Sequence, residues 1–187
     1  MTRSLPIGPG AFVAIGGPSG VGKDTLIRYA RDRLADDARF LFVQRTITRP
    51  PGDPTEDNHS VDDAEFQRLS DRGAFALSWA AHGLRYGLPV EIDDAIADGR
   101  VVVANISRTV LDELKARYQR VVPVAISADP EMVKSRLVGR GREGALAIRE
   151  RAERVVAPIN DDWVELRNDG SIEAAGEALV HLLVIEA

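Results

Sequence analysis

The stretch GGPSGVGKDTLI, positions 16–27, sets Gly17, Gly22 and Lys23 at the spacing G-x-x-x-x-G-K of a phosphate-binding loop. The intervening Pro18, Ser19, Gly20 and Val21 complete a glycine-rich turn. Its backbone can curl until successive N–H groups converge on phosphate oxygens at the positive end of the following helix. Lys23 then supplies a cation for the β and γ phosphates of a nucleotide, and Thr25 a hydroxyl. One position breaks the pattern. Where a serine or threonine ordinarily meets Mg²⁺, this chain has Asp24. A carboxylate there can be a first-turn acid favoured by the helix dipole. It can also be an oxygen ligand to Mg²⁺, direct or through water, which turns repulsion from the phosphates into shared coordination of the metal. The metal role is adopted here, because the dipole reading ignores the anionic phosphates beside the side chain.

The elements around the loop suit this chemistry. AFVAIGG reads as a buried strand entering the loop, and 23–34 carries helical apolar spacing. Further β-branched runs follow at 39–44, 101–106, 121–127 and 163–167. Helical stretches lie between most of them, at 62–72, 90–98, 109–118, 129–138 and 146–156, with another at 171–183. This alternation predicts an α/β fold with a parallel sheet flanked by helices. Two segments interrupt the rhythm: the Pro/Gly/Asp-rich RPPGDPTEDNH at 49–59, and the glycine- and arginine-rich GRGREGALAIRER at 139–151. No repeat, low-complexity tract or linker marks a second domain.

Composition narrows the function. At 187 residues, 44% hydrophobic and 28% charged, the chain has the make-up of one ordinary globular domain. A formal net charge of -5 argues against a large nucleic-acid footprint, so a polyanionic small substrate needs a local basic cleft. No apolar run approaches the roughly 20 residues of a membrane span. The first residues lack a signal-peptide core, and the absence of cysteine fits a cytoplasmic address. Only Lys23, Lys115 and Lys134 of the 24 basic residues are lysine, so Lys23 keeps its ammonium in a chain that otherwise uses arginine.

The segments GPSGVGK, TITRP, GLRYG, RLVGRGRE and RNDGS resemble the guanylate kinase superfamily along nearly the whole chain. Within it, GKD, ITRP, EDNH, FALSW, HGLRYG, VEID, RGRE and NDGS are most similar to the ribose 1,5-bisphosphate phosphokinases of phosphonate catabolism. That resemblance implies a single P-loop kinase domain over 1–187. Its core would be 11–44, 99–138 and 157–187, with a substrate-binding region at 45–98 and a mobile lid at 139–156. It also implies ATP and Mg²⁺, and transfer of the γ-phosphoryl group to a phosphorylated sugar.

The departures from guanylate kinases are informative. The acidic side chains that accept hydrogen bonds from guanine in those enzymes correspond here to Leu77, Asn105 and Ser107. Neutral groups leave guanine's donors without strong acceptors, a loss of roughly 10⁴-fold or more where a site is built on such pairing. Arg49 matches an arginine that grips the acceptor phosphate, whereas the second arginine of that pattern is Gly52. Arg45, Arg85 and Arg108 are candidates for its work, with surface charge as the bland alternative for Arg45 and Arg108. His59 stands where a phosphate-binding tyrosine is usual; Tyr86 and Asn105 complete the expected acceptor site. Asn168, in a turn signal, is expected near adenine. Arg140 and Arg151 match lid arginines that close over the transferring phosphoryl group. Trp79 and His82 are expected to order the local fold. A nucleoside monophosphate kinase and a non-catalytic binding module are the alternatives, and the intact Lys23, Arg140 and Arg151 argue against the latter.

Overall fold

The computed structural model describes residues 5–49, 58–133 and 162–187. β1 (Ala11–Gly16) is buried at every residue and is the middle strand of a five-stranded parallel sheet. Its neighbours are β7 (Val101–Asn105) and β8 (Val121–Ser127); β2 (Phe40–Phe42) and β9 (Val164–Arg167) form the edges. Every pairing in this sheet is parallel. A β-strand turns alternate side chains to opposite faces. Ala11, Val13 and Ile15 accordingly enter one apolar core, and Phe12 and Ala14 enter another. Because both faces are covered, the strand reads as a continuous apolar run and not as an alternating one.

The first core is closed by α1 (Lys23–Arg33) and α5 (Ile172–Ile185), through Leu26, Ala30, Ala175, Leu179 and Leu183. Gly176 of α5 lets the two helices approach: a Cβ there would stand 2.4 Å from the Tyr29 ring. The second core takes α3 (Ile92–Ala97) and α4 (Leu111–Arg117), with Tyr118 stacked on Phe12 at 5.5 Å. The Tyr118 hydroxyl donates to Asp93, 2.8 Å away, and Arg117 pairs with the same carboxylate. Burial, followed by that hydrogen bond, pushes the phenol's pKa upward.

A second sheet departs from the uniform parallel rhythm read from the sequence. β3 (Arg45–Ile47), β4 (Asn58–Ser60), β5 (Phe75–Ala81) and β6 (Leu84–Pro89) assemble in the order β4-β3-β6-β5. Its β5–β6 and β3–β6 pairs are antiparallel. β5 contains three alanines, which do little to favour a strand. It forms because His82 and Gly83, at φ 55° and 73°, make a two-residue turn with both φ values positive, the geometry that twists with a hairpin. α2 (Asp63–Asp71) follows β4, capped by the Asp62 side chain accepting from Glu65 N–H at 2.7 Å. Leu77 and Leu88 of this sheet pack into the second core. Among the described residues, no helix is long and apolar enough to cross a membrane. The expected lid at 139–156 lies outside the described residues.

Candidate active site

β1 ends at Gly16 and α1 begins at Lys23, so the intervening loop sits at the helix's positive end. Three glycines in it, Gly17, Gly20 and Gly22, take positive φ. At Gly17 the requirement is double: φ is 140°, and a Cβ would lie 2.4 Å from the Ile126 carbonyl oxygen. The loop is also braced from below. The buried Asn168 donates its side-chain N–H to the Val21 carbonyl at 2.8 Å, while its backbone N–H bonds Ser127 at 2.7 Å. A residue expected near a base is thus placed beneath the phosphate loop, where it ties β9 to that loop. Lys23 Nζ donates to the carbonyls of Gly17 and Pro18 at 2.8 and 2.7 Å, which keeps the ammonium folded over the loop. Thr25 lies half-buried on the first turn of α1.

Register carries Asn105 to the same place. It is the last residue of β7, opposite Ile15 on β1, and its amide donates to Asp24 Oδ1 at 2.8 Å. Arg45, at the start of β3, approaches the same oxygen at 3.9 Å. Arg45 is only 11% exposed and is held in place: its Nε donates to Asn58 Oδ1 at 3.2 Å, and its guanidinium stands 5.7 Å over the Tyr86 ring. Tyr86 is in turn stacked on Trp79 at 5.3 Å, so both aromatics order the Arg45 side of the cleft. Together these groups border a cleft of about 330 Å³ whose polar wall is Asp24, Arg28, Arg31, Gln44, Arg45, Asn58 and Asn105. Ile27, Phe42 and Val43 give it an apolar wall.

The other candidates are dispersed. Arg85 turns to α2: its guanidinium donates to the Asp63 carbonyl and to Gln67 at 2.6 and 2.9 Å, and lies 4.6 Å over Phe66. His59 is exposed on β4, opposite Thr46. Arg49 follows β3 and is half-buried. Arg108 opens the turn after β7, and its Cγ is 3.5 Å from where a Gly16 Cβ would stand, beside the start of the loop. Of the neutral trio, Leu77 is buried in the core and Ser107 caps the turn by accepting from Thr109 N–H at 3.4 Å. Only Asn105 faces the cleft. Arg140 and Arg151 lie outside the described residues.

Sequence reading missed Arg28, Arg31 and Asn58. For the two arginines a signal existed: they stand four and seven residues past Asp24, the helical repeat of one face. Asn58 stands in the EDNH segment, and the β3–β4 pairing is what brings it to Arg45.

No family model matches the chain. Its sequence is 47% identical over 179 residues to a ribose 1,5-bisphosphate phosphokinase of Pseudofrankia inefficax, covering 95% of this chain and 93% of the relative. It is also 47% identical over 176 residues to the enzyme of that name from Brucella melitensis, covering 93% and 92%. Among solved structures, guanylate kinase from Anaplasma phagocytophilum superposes with a TM-score of 0.64 at 19% identity, covering 98% of this chain and 88% of that one. That likeness establishes the fold, a P-loop kinase with a parallel sheet flanked by helices. With identity of this level sustained over more than nine-tenths of its length, the chain belongs to the ribose 1,5-bisphosphate phosphokinase family.

Proposed function

We propose that this protein transfers the γ-phosphoryl group of ATP to the 1-phosphate of ribose 1,5-bisphosphate, giving ADP and 5-phosphoribosyl 1-diphosphate. An oxygen of the 1-phosphate attacks the γ phosphorus, and the bond from that phosphorus to the β–γ bridging oxygen breaks. The acceptor oxygen is already ionised, so no strong general base is needed. Positioning, charge neutralisation and exclusion of water carry the catalysis. The observation that carries this reading is the cleft beside the phosphate loop. Its polar wall holds three arginines, one carboxylate at Asp24 and the neutral amides Gln44, Asn58 and Asn105, a cationic lining suited to phosphate.

In this reading the N–H groups of the loop from Gly17 to Gly22 hold the β phosphate, and Lys23 swings from its two carbonyls to the β and γ oxygens. Asp24 is the protein's ligand to Mg²⁺. Its fit rests on two observations: the carboxylate is 38% exposed, and both of its contacts among the described residues go through Oδ1. Mg²⁺ keeps several waters and takes one or two carboxylates together with phosphates, so a dedicated protein cage is not required. When bound, the ion would supply positive charge against the phosphates, with Asp24 as the residue that would hold it. Asn105 orients the Asp24 carboxylate toward that work. Arg45, Arg49 and Arg108 grip the acceptor, with His59, Arg85 and Tyr86 at its margin, and Arg140 and Arg151 close from a lid over the transferring group. Residues 45–98 form the acceptor region of the single domain.

The test is a panel of acceptors with purified protein and ATP·Mg²⁺, including ribose 1,5-bisphosphate, GMP and other nucleoside monophosphates. Turnover restricted to the sugar bisphosphate is expected. Efficient GMP phosphorylation would replace this assignment with a nucleotide kinase.

A further inference from the structure

We propose that Asn105 reads the acceptor's sugar: its side-chain carbonyl Oδ1 accepts a hydrogen bond from the hydroxyl next to the reacting phosphate, the 2-hydroxyl of ribose 1,5-bisphosphate. The inference rests on the reaction proposed above and names the group that would tell a ribose from a 2-deoxyribose.

Orientation is the first argument. A carboxylate accepts hydrogen bonds and donates none, so an amide that faces one must turn its nitrogen to it. Asn105 Nδ2 donates to Asp24 Oδ1 at 2.8 Å, and the two ends of the planar amide are thereby assigned. Oδ1 is the end left for a ligand. Asn105 is only 8% exposed, and the surface it keeps opens on the cleft. Among the described residues no group donates to Oδ1, yet that oxygen is not sealed from solvent. The backbone holds the side chain there: Asn105 is in register with Ile15, and the next N–H, of Ile106, bonds the Ile15 carbonyl at 2.9 Å.

Chemistry is the second. A carbonyl oxygen repels ionised phosphate oxygens, which have no hydrogen to give, and pairs with a hydroxyl. In the proposed reaction the reacting phosphate lies by Lys23 and Asp24, and Asn105 is bonded to Asp24 directly. What reaches Oδ1 is therefore the part of the acceptor nearest that phosphate. On ribose 1,5-bisphosphate the hydroxyl nearest the 1-phosphate is the one on C2. The other two neutral positions do not compete for it, since Leu77 is in the core and Ser107 caps a turn. One side chain thus sets both the Asp24 carboxylate and the sugar beside it.

Calorimetric binding of ribose 1,5-bisphosphate and its 2-deoxy analogue, with ADP and Mg²⁺ present so that no transfer occurs, tests the contact. The parent should bind the 2-deoxy sugar about tenfold more weakly, the scale of one hydrogen bond between neutral groups. Asn105→Ala should bring the two sugars within about twofold of each other, because the partner of the hydroxyl is gone. The 3-deoxy analogue is the control, and whatever affinity it loses in the parent it should also lose in the variant. If Asn105→Ala melts well below the parent, Asn105→Leu, which keeps the volume, carries the test. Equal binding of the two sugars by the parent, or a preference for the 2-hydroxyl that survives loss of the amide, would overturn the contact. So would a 3-deoxy penalty that vanishes with the amide. Turnover of ribose 1,5-bisphosphate alongside any of these results leaves the reaction standing. A parent that prefers the 2-hydroxyl through Asn105 yet never phosphorylates the bisphosphate would sink the reaction and keep the contact, and one that binds neither sugar would overturn both.

Discussion

In the proposed reaction the donor side of the cleft would be one contiguous loop, residues 16–25, running from the sheet's middle strand into α1, and the acceptor side would be gathered from α1, β2, β3, β4 and the end of β7. The loop's shape has a local part, the positive φ of its glycines, and a tertiary part, Gly17 against Ile126 and Asn168 bonded to Val21. The opposite wall depends wholly on contacts between elements, with Arg45 held by Asn58 of the neighbouring strand and by an aromatic stack contributed by a hairpin. The two meet at the Asp24–Asn105 bond. A binding region that shares few residues with the phosphate loop can change what it accepts while the transfer chemistry stays in place. Leu77, Asn105 and Ser107 illustrate this: none lies in the loop, and only Asn105 reaches it.

Breaking the donor side should have the largest effect. Lys23→Ala is expected to lower kcat by roughly 10³-fold, the scale of a preorganised cation lost from the transferring phosphates. Thermal melting should move little, because Lys23 belongs to neither apolar core. A well-folded variant of near-normal turnover would remove the loop from the mechanism.

The acceptor side predicts the next effect. kcat/KM for ribose 1,5-bisphosphate should exceed that for GMP by at least about a hundredfold, a gap of roughly 2.7 kcal/mol in transition-state stabilisation. Comparable values for the two would mean that the neutral residues do not govern acceptor choice. Arg49→Ala should raise the acceptor's KM with a smaller change in kcat, since a grip present in both ground and transition states is uniform binding.

The joint between the two sides is tested by Asp24→Asn. The amide oxygen can still accept from Asn105, so the substitution removes charge and keeps shape. The Mg²⁺ concentration for half-maximal rate should rise by about tenfold, on the order of 1.4 kcal/mol. An unchanged Mg²⁺ dependence would return Asp24 to a helix-dipole role.

The smallest effect is expected from the brace. Asn168→Ala leaves the Val21 carbonyl without its buried donor, at a cost of about 1–3 kcal/mol in stability. It should also raise the KM for ATP by a few-fold, because the loop loses its support and keeps its own groups. A melting curve and an ATP titration measure the two parts. A large fall in kcat with no loss of stability would instead place Asn168 against the nucleotide.

The sequence by itself determined the donor side. A phosphate loop is set by short-range geometry, so G-x-x-x-x-G-K between an apolar strand and a helix was enough to read it. Asp24 stood out because it broke that pattern. The parallel core was legible for a similar reason: strands buried on both faces carry continuous apolar runs, and helices carry a period of their own. The second sheet was not legible, because an alanine-rich β5 has little intrinsic preference and forms through a hairpin and a core partner. Only the tertiary structure decided which cations share the cleft. Arg85 and Arg45 look alike in sequence, yet β6 turns one to α2 while β3 turns the other to Asp24. Arg28 and Arg31 join it because α1 lays one face against a cleft whose opposite wall comes from strands far along the chain, and the pairing of distant strands is not written in the spacing of any single segment.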